Sequence, residues 1–327
     1  MADQTITYRD AIRKGLKTAL QSDSKVFLLG EDVGMYGGAF AASKGLLQEF
    51  GQDRIMDVPL SEAGFTGAAI GAAIAGLKPV VEIMTVNFSL LALDQIINNA
   101  ATLRHMSAGQ ISVPIVFRIS CGPGRQLASQ HSHSWEPMFA MIPGLHVISA
   151  GTHEDAEGML PLALLKNDPV VIFEYTSLLN SESDLENHIP TNINRAVLRV
   201  KGSHLSIITY GTCVSKSLEA AAKLSEEGIS VEVMDLRVLR PLDKNSILET
   251  ARKTGKVLFV EDAWGTNSIG SEVAKLLYQE CFFELETPMD HLSGVEVPTP
   301  YPLHLEKSCT PSVAQIIERS KILKGNG

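Results

Sequence analysis

Cysteine is scarce: four residues in 327, Cys121, Cys213, Cys281 and Cys309, lie far apart and form no CxxC pair or other metal-ligand spacing. That excludes a disulfide framework or a sequence-evident zinc site and leaves the thiols reduced and buried. Long apolar runs are lacking too. The most apolar stretch, Ala68 to Leu77, falls well short of the roughly 20 residues a spanning helix needs, so no membrane partner is expected. The N-terminus, MADQTITYRDAIRKGL, has no signal-peptide core and carries acidic residues, which argues against a transit peptide and for a cytoplasmic chain. Neither GxGxxG nor GxxxxGK followed by Ser or Thr occurs, which removes the simplest grounds for a dinucleotide or phosphate-loop site. The net charge of -9 is spread over short segments without a basic run, against nucleic acid as a partner.

What is present reads as a chain that folds throughout. The 45% hydrophobic and 20% charged fractions are those of a globular protein, and the length suffices for two domains. TYRDAIRKGLKTAL opens with Thr7 and Asp10 at capping-box spacing, and KVFLLG follows as a buried strand ending at Gly30. PVVEIM, VPIVFRI, LHVISA and PVVIFEY are continuous rather than alternating in polarity, as in a mostly parallel sheet covered on both faces. Between Asn180 and Ser203 the pattern turns polar around Pro190, which predicts a first domain over 1–190, a linker over 191–203 and a second over 204–327. LSIITYG, SVEVMDL and KVLFVED, separated by helical patterns, predict a smaller α/β unit with its own sheet. The expected fold class is therefore α/β, in two domains.

One carboxylate stands out. In DVPLSEAGFTGAAIGAAIAGLKPVVE, Asp57 to Glu82, Glu62 directly precedes a small, apolar helical run. Ser61 and Glu62 could simply cap that helix, whose N-terminal dipole favours an acid. Alternatively, a carboxylate held in an apolar pocket has its charged form disfavoured and can share a proton with a ring nitrogen. Gly64, Gly67 and Gly71 would let another helix come close, within the domain or from another chain. GMYGGAF and GPGRQL are glycine-rich loops, and SQHSHSWE places His131 and His133 two residues apart without a third metal ligand at a recognisable spacing. A lone catalytic histidine fits at least as well.

Taken in order, VFLLGEDVGMYGGAF, the stretch from RIMDVPLSEAGF to LRHMSAGQ, QHSHSWE, PGLHVISA, DPVVIFE, VEVMDLRVLRPLD and VEVPTPY resemble the beta subunits of the decarboxylating dehydrogenase component of 2-oxoacid dehydrogenase complexes. The pyruvate dehydrogenase type matches best, and the resemblance covers almost the whole chain. It implies a pyrimidine-binding domain followed by a transketolase-C-like domain that pairs beta subunits and docks the carrier. It implies thiamine diphosphate shared with an alpha subunit in an alpha2-beta2 assembly, a 2-oxoacid substrate, and a lipoyl carrier that takes the acyl group.

Residue by residue, the resemblance makes Glu62 the partner of the first aminopyrimidine nitrogen, favouring the imino tautomer that removes the thiazolium proton. Phe88 matches the ring that stacks on the aminopyrimidine, Leu60 and Met84 match apolar wall positions, and His131 matches the active-site histidine. His133 stands where the family has glutamine, and Leu179 where it has tyrosine. Carbonyls at Ile115, Ala163, Leu164, Lys166 and Asp168 match a potassium site. The GDG segment that holds diphosphate and magnesium is absent, so the alpha subunit is expected to hold the magnesium. An acetoin or branched-chain 2-oxoacid dehydrogenase shares these features, and a non-catalytic scaffold subunit is the alternative of another class.

Overall fold

The computed structural model describes residues 5–184 and 190–325. The first sheet has seven strands, ordered Val238–Arg240, His146–Ser149, Val170–Tyr175, Val116–Cys121, Lys78–Ile83, Val26–Gly30 and Ile55–Asp57. Its six N-terminal strands run parallel, and all but the edge strand Ile55–Asp57 are buried along nearly their whole length, as their largely apolar sequences require of strands covered on both faces. The chain leaves Val26–Gly30 for the edge strand Ile55–Asp57, then returns to Lys78–Ile83 on the other side. Strand order thus reverses there, and the carboxyl ends of these strands open the crevice where ligands of open α/β sheets bind.

Thr7 does cap the helix Tyr8–Ser22: its side chain accepts from the Asp10 N–H and meets the Asp10 carboxylate at 2.7 Å. That helix packs on His153–Ala163 through Gly15, where a Cβ would come within 2.5 Å of the Glu157 carbonyl. Arg118 lies inside the first sheet between Glu82 and Glu174, two bonds of 2.8 and 2.7 Å reaching Glu174 and one of 2.7 Å reaching Glu82. Burial pushes the Glu82 carboxyl above its usual range against the pull of the guanidinium. Removing the cation from such a buried cluster costs about 3–5 kcal/mol, because unpaired charge is left behind.

The second sheet is ordered Asp290–Gly294, Val257–Trp264, Leu205–Thr209, Val231–Asp235 and Val197–Val200. Two features depart from the sequence reading. Val197–Val200, inside the predicted linker over 191–203, is an antiparallel edge strand of this sheet. Its Arg199 looks like a linker residue but is buried by pairing with Asp155 at 3.2 Å and Asp235 at 2.8 Å. Val238–Arg240 leaves the second domain and pairs antiparallel with His146–Ser149, so the second domain completes the first sheet. One apolar core accordingly runs from Phe117 and Phe173 into Ile208 and Phe259. The 185–189 part of the predicted boundary lies outside the described residues. None of the helices described is long and apolar enough to cross a membrane, and all four cysteines are free, three of them buried.

Candidate active site

Glu62 is the first residue of the helix Glu62–Ile74, which starts just past the edge strand at the reversal of strand order. Ser61 occupies the N-cap but makes no side-chain cap bond. Glu62 is 6% exposed, and among the described residues its carboxylate has no hydrogen-bond partner. Phe65, Thr66, Ala69, Ile70 and Ala73 turn one helix face into the core, while Gly64, Ala68, Gly71 and Ala75 stay exposed. Among the described residues, a Cβ on Gly64 would meet the Ser61 hydroxyl at 2.7 Å and one on Gly67 the Gln95 side chain at 3.1 Å, whereas one on Gly71 would meet nothing within 4 Å.

Glu31, at the end of Val26–Gly30, was not singled out by sequence. Its Oε1 is buried without a partner among the described residues, and its carboxyl is pushed above the usual range, first by burial and then by the neighbouring Glu62 and Asp32 charges. The following loop is held by Asp57, whose carboxylate accepts the Gly34 and Met35 N–H groups at 2.6 and 2.9 Å. Gly34 is required there, since a Cβ would lie 2.8 Å from that carboxylate.

Phe88 begins a 3-10 turn, Phe88–Ala92, that packs against the Glu62 helix. The structure brings His131 to it: the two rings meet edge to face, 5.3 Å between centroids at 73°. His131 ends the short turn Ser129–His131, approached through Gln126 and Ala128, both at positive φ. This strained turn is braced from the second domain. The Glu306 carboxylate accepts the Gln126 N–H at 3.1 Å, Ser129 donates to the Thr299 carbonyl at 2.9 Å, and Thr299 donates to the Ser132 carbonyl at 3.3 Å. Met84 is half-buried at the end of Lys78–Ile83. Leu60 is 81% exposed and forms no wall within this chain alone. Leu179 is buried in the same apolar cluster as Tyr8, Ile12 and Leu16 of the helix Tyr8–Ser22.

Behind the histidine turn, Glu136 is 1% exposed and accepts the Tyr175 O–H at 2.9 Å through Oε1, while its Oε2 has no partner among the described residues. Burial pushes its carboxyl up to about 7. The folded chain therefore keeps a proton here up to about pH 7 that the unfolded chain releases near pH 4.5. Stability from this group is full below that interval and is lost as pH rises through it, by about 3 kcal/mol. Glu136→Gln should flatten the pH dependence of denaturant stability between those limits, which paired unfolding curves would measure.

The five carbonyl positions lie where the helix His153–Ala163 ends and the chain passes Ile115. The Val113 N–H donates to the Asn167 carbonyl at 3.1 Å and the Val170 N–H to the Ile115 carbonyl at 3.0 Å.

The chain matches two family models in order: transketolase, pyrimidine binding domain, over residues 4–182, and transketolase, C-terminal domain, over 194–316. It is 42% identical over 321 residues to the mitochondrial pyruvate dehydrogenase E1 component subunit beta-1 of Arabidopsis thaliana, covering 97% of this chain and 88% of that one. It is 39% identical over 317 residues to the pyruvate dehydrogenase E1 component subunit beta of Rickettsia bellii, covering 97% and 98%. A solved structure, "Split gene transketolase, inactive beta4 tetramer", shares the fold with a TM-score of 0.80 at 20% identity, covering 98% of each chain. With both domains matched and the sequence aligned nearly end to end, the chain belongs to the pyruvate dehydrogenase E1 beta subunits of the transketolase-like family.

Proposed function

We propose that this chain supplies the aminopyrimidine half of a thiamine diphosphate site. An alpha subunit supplies the diphosphate and magnesium half, and the alpha2-beta2 assembly oxidatively decarboxylates pyruvate and passes the acetyl group to a lipoyl carrier. The observation that carries this reading is Glu62 at the crevice, largely buried and with no hydrogen-bond partner for its carboxylate among the described residues, beside the turn that holds Phe88 against His131. Those residues fit the group: an acid for a ring nitrogen, a half-buried aromatic face, and a second acid, Glu31, with an orphaned oxygen nearby.

The cofactor, when bound, supplies the carbon nucleophile and the electron sink for decarboxylation. Glu62 holds the proton at the first pyrimidine nitrogen. Phe88 orients the pyrimidine ring, with Met84 and Leu60 as apolar neighbours, and His131 stabilises charge or moves a proton on the substrate-derived part. A partner is supported by the apolar side chains left bare around the crevice, Met35, Tyr36, Leu60, Leu90 and Leu91, next to the exposed small-residue stripe of the Glu62 helix. The second domain forms the beta–beta contact and docks the carrier. A potassium ion at the carbonyls of Ile115, Ala163, Leu164, Lys166 and Asp168, and a cytoplasmic location, complete the proposal.

The test is reconstitution with the alpha subunit and a panel of pyruvate, branched-chain 2-oxoacids and acetoin. The expected result is thiamine-dependent turnover that is fastest on pyruvate, with acetyl transfer to a lipoyl domain. Preference for another substrate would move the chain to a sister enzyme, and no turnover on any would make it a scaffold subunit.

A further inference from the structure

We propose that His133 is a positioning residue of this site, whose Nδ1 accepts a hydrogen bond from Asn87 and so fixes the Phe88 turn against the His131 turn. The inference rests on the functional reading above but concerns a different residue and a different contact. Asn87 directly precedes Phe88, and its side-chain nitrogen lies 3.1 Å from the Ser129 carbonyl and 2.7 Å from His133 Nδ1. Ser129 stands two residues before His131. One amide group therefore ties the turn carrying the stacking ring to the turn carrying the histidine.

The chemistry leaves a single arrangement of protons. Turning the amide over would set its oxygen against the Ser129 carbonyl, two acceptors face to face, and bury an NH2 group where Oδ1 now lies without a partner. With the NH2 directed as found, its two hydrogens go to the Ser129 carbonyl and to Nδ1, so Nδ1 must offer a lone pair. His133 is then neutral and carries its proton on Nε2. Burial, which lowers the affinity of this ring for a second proton, acts in the same direction.

The ring is also clamped. It stacks on Trp135, 4.6 Å between centroids at 18°, and meets Trp264 of the second domain edge-on at 5.3 Å. The His133 carbonyl accepts the Gly122 N–H at 3.0 Å. Between the domains the ring borders a cavity of about 20 Å³ shared with Asp262. The titratable neighbours are engaged elsewhere or lie outside the contact: Asp262 is taken by Thr212, Cys213 and Lys216, Glu136 faces Tyr175 and Cys121, and the His131 ring faces Phe88. His133 thus transmits the seating of the second domain to the Asn87 amide. Glutamine, the family's residue here, carries an amide oxygen that can accept the same hydrogen.

Two measurements test this. In the full chain labelled with 15N-histidine, the His133 signal is identified by its loss in His133→Gln. The expected spectrum shows Nδ1 bare and Nε2 protonated, persisting as pH falls past about 6.5, where a free imidazole takes up its second proton. A protonated Nδ1 at neutral pH would overturn the proposal, and because the spectra need no turnover they decide it whatever the assembled enzyme's substrate.

In the assembled enzyme, His133→Phe keeps the stacking and removes the acceptor, whereas His133→Gln keeps an acceptor and removes the ring. The Phe variant should lose roughly tenfold in kcat, the scale of one lost buried hydrogen bond. The Gln variant should stay within about threefold of wild type on the same scale. A Phe variant as fast as wild type, or a Gln variant as slow as the Phe variant, would show that ring packing alone matters and would sink the positioning role.

Discussion

In the assembled enzyme, Glu62→Gln should slow exchange of the C2 proton of bound thiamine diphosphate with deuterated water by about 10²–10⁴-fold, the range lost when a positioned proton-transfer group is removed. The amide keeps the shape of the carboxylate, so assembly and cofactor affinity should survive. What it cannot do is share a proton with the pyrimidine nitrogen. If Glu62 served only the helix, the change would cost about 1 kcal/mol of stability and leave exchange near wild type. Glu62 sits inside the first turn, where the helix dipole favours an acid, but its carboxylate makes no bond to the described residues and its charge acts on the neighbouring Glu31.

His131→Ala should give the second largest loss, about 10²–10⁴-fold in kcat on pyruvate, with C2 exchange at its wild-type rate. The two variants separate two steps. In the proposed roles Glu62 acts before substrate arrives and His131 after, so one variant should change exchange and the other only turnover. The alanine also removes the edge-to-face contact with Phe88, so a modest weakening of cofactor affinity should accompany it. Unchanged turnover would make His131 a structural residue of the braced turn. Stopped-flow turnover on pyruvate beside the exchange measurement distinguishes these results.

Most of the fold was legible because its signals are local. Uninterrupted apolar runs such as PVVEIM and PVVIFEY mark strands covered on both faces, and Thr7 with Asp10 marks a helix start, all found where the pattern placed them. Strand Val197–Val200 was not legible, because Arg199 makes it look polar and only the distant Asp155 and Asp235 show why an arginine can be buried there. Val238–Arg240 was missed for a related reason: nothing in three residues says which of two sheets they will join.

The site divides in the same way. Glu62, Phe88 and His131 carry type and motif, and two of them meet in space. Glu31 could have been flagged by its position at the carboxyl end of a buried strand. Asn87, Thr299 and Glu306 could not, since their part in the site depends on which turns and which domain they bridge. Leu60 is exposed in this chain, and neither its local sequence nor its packing here marks it as part of a pocket wall.

The central claim is that this chain holds half of a cofactor site, and calorimetric titration of thiamine diphosphate with magnesium tests it most directly. Titrated into this chain alone, the cofactor should show no tight binding; titrated into the chain assembled with its alpha subunit, it should bind tightly and only with magnesium. Tight, magnesium-dependent binding to this chain by itself would contradict the claim.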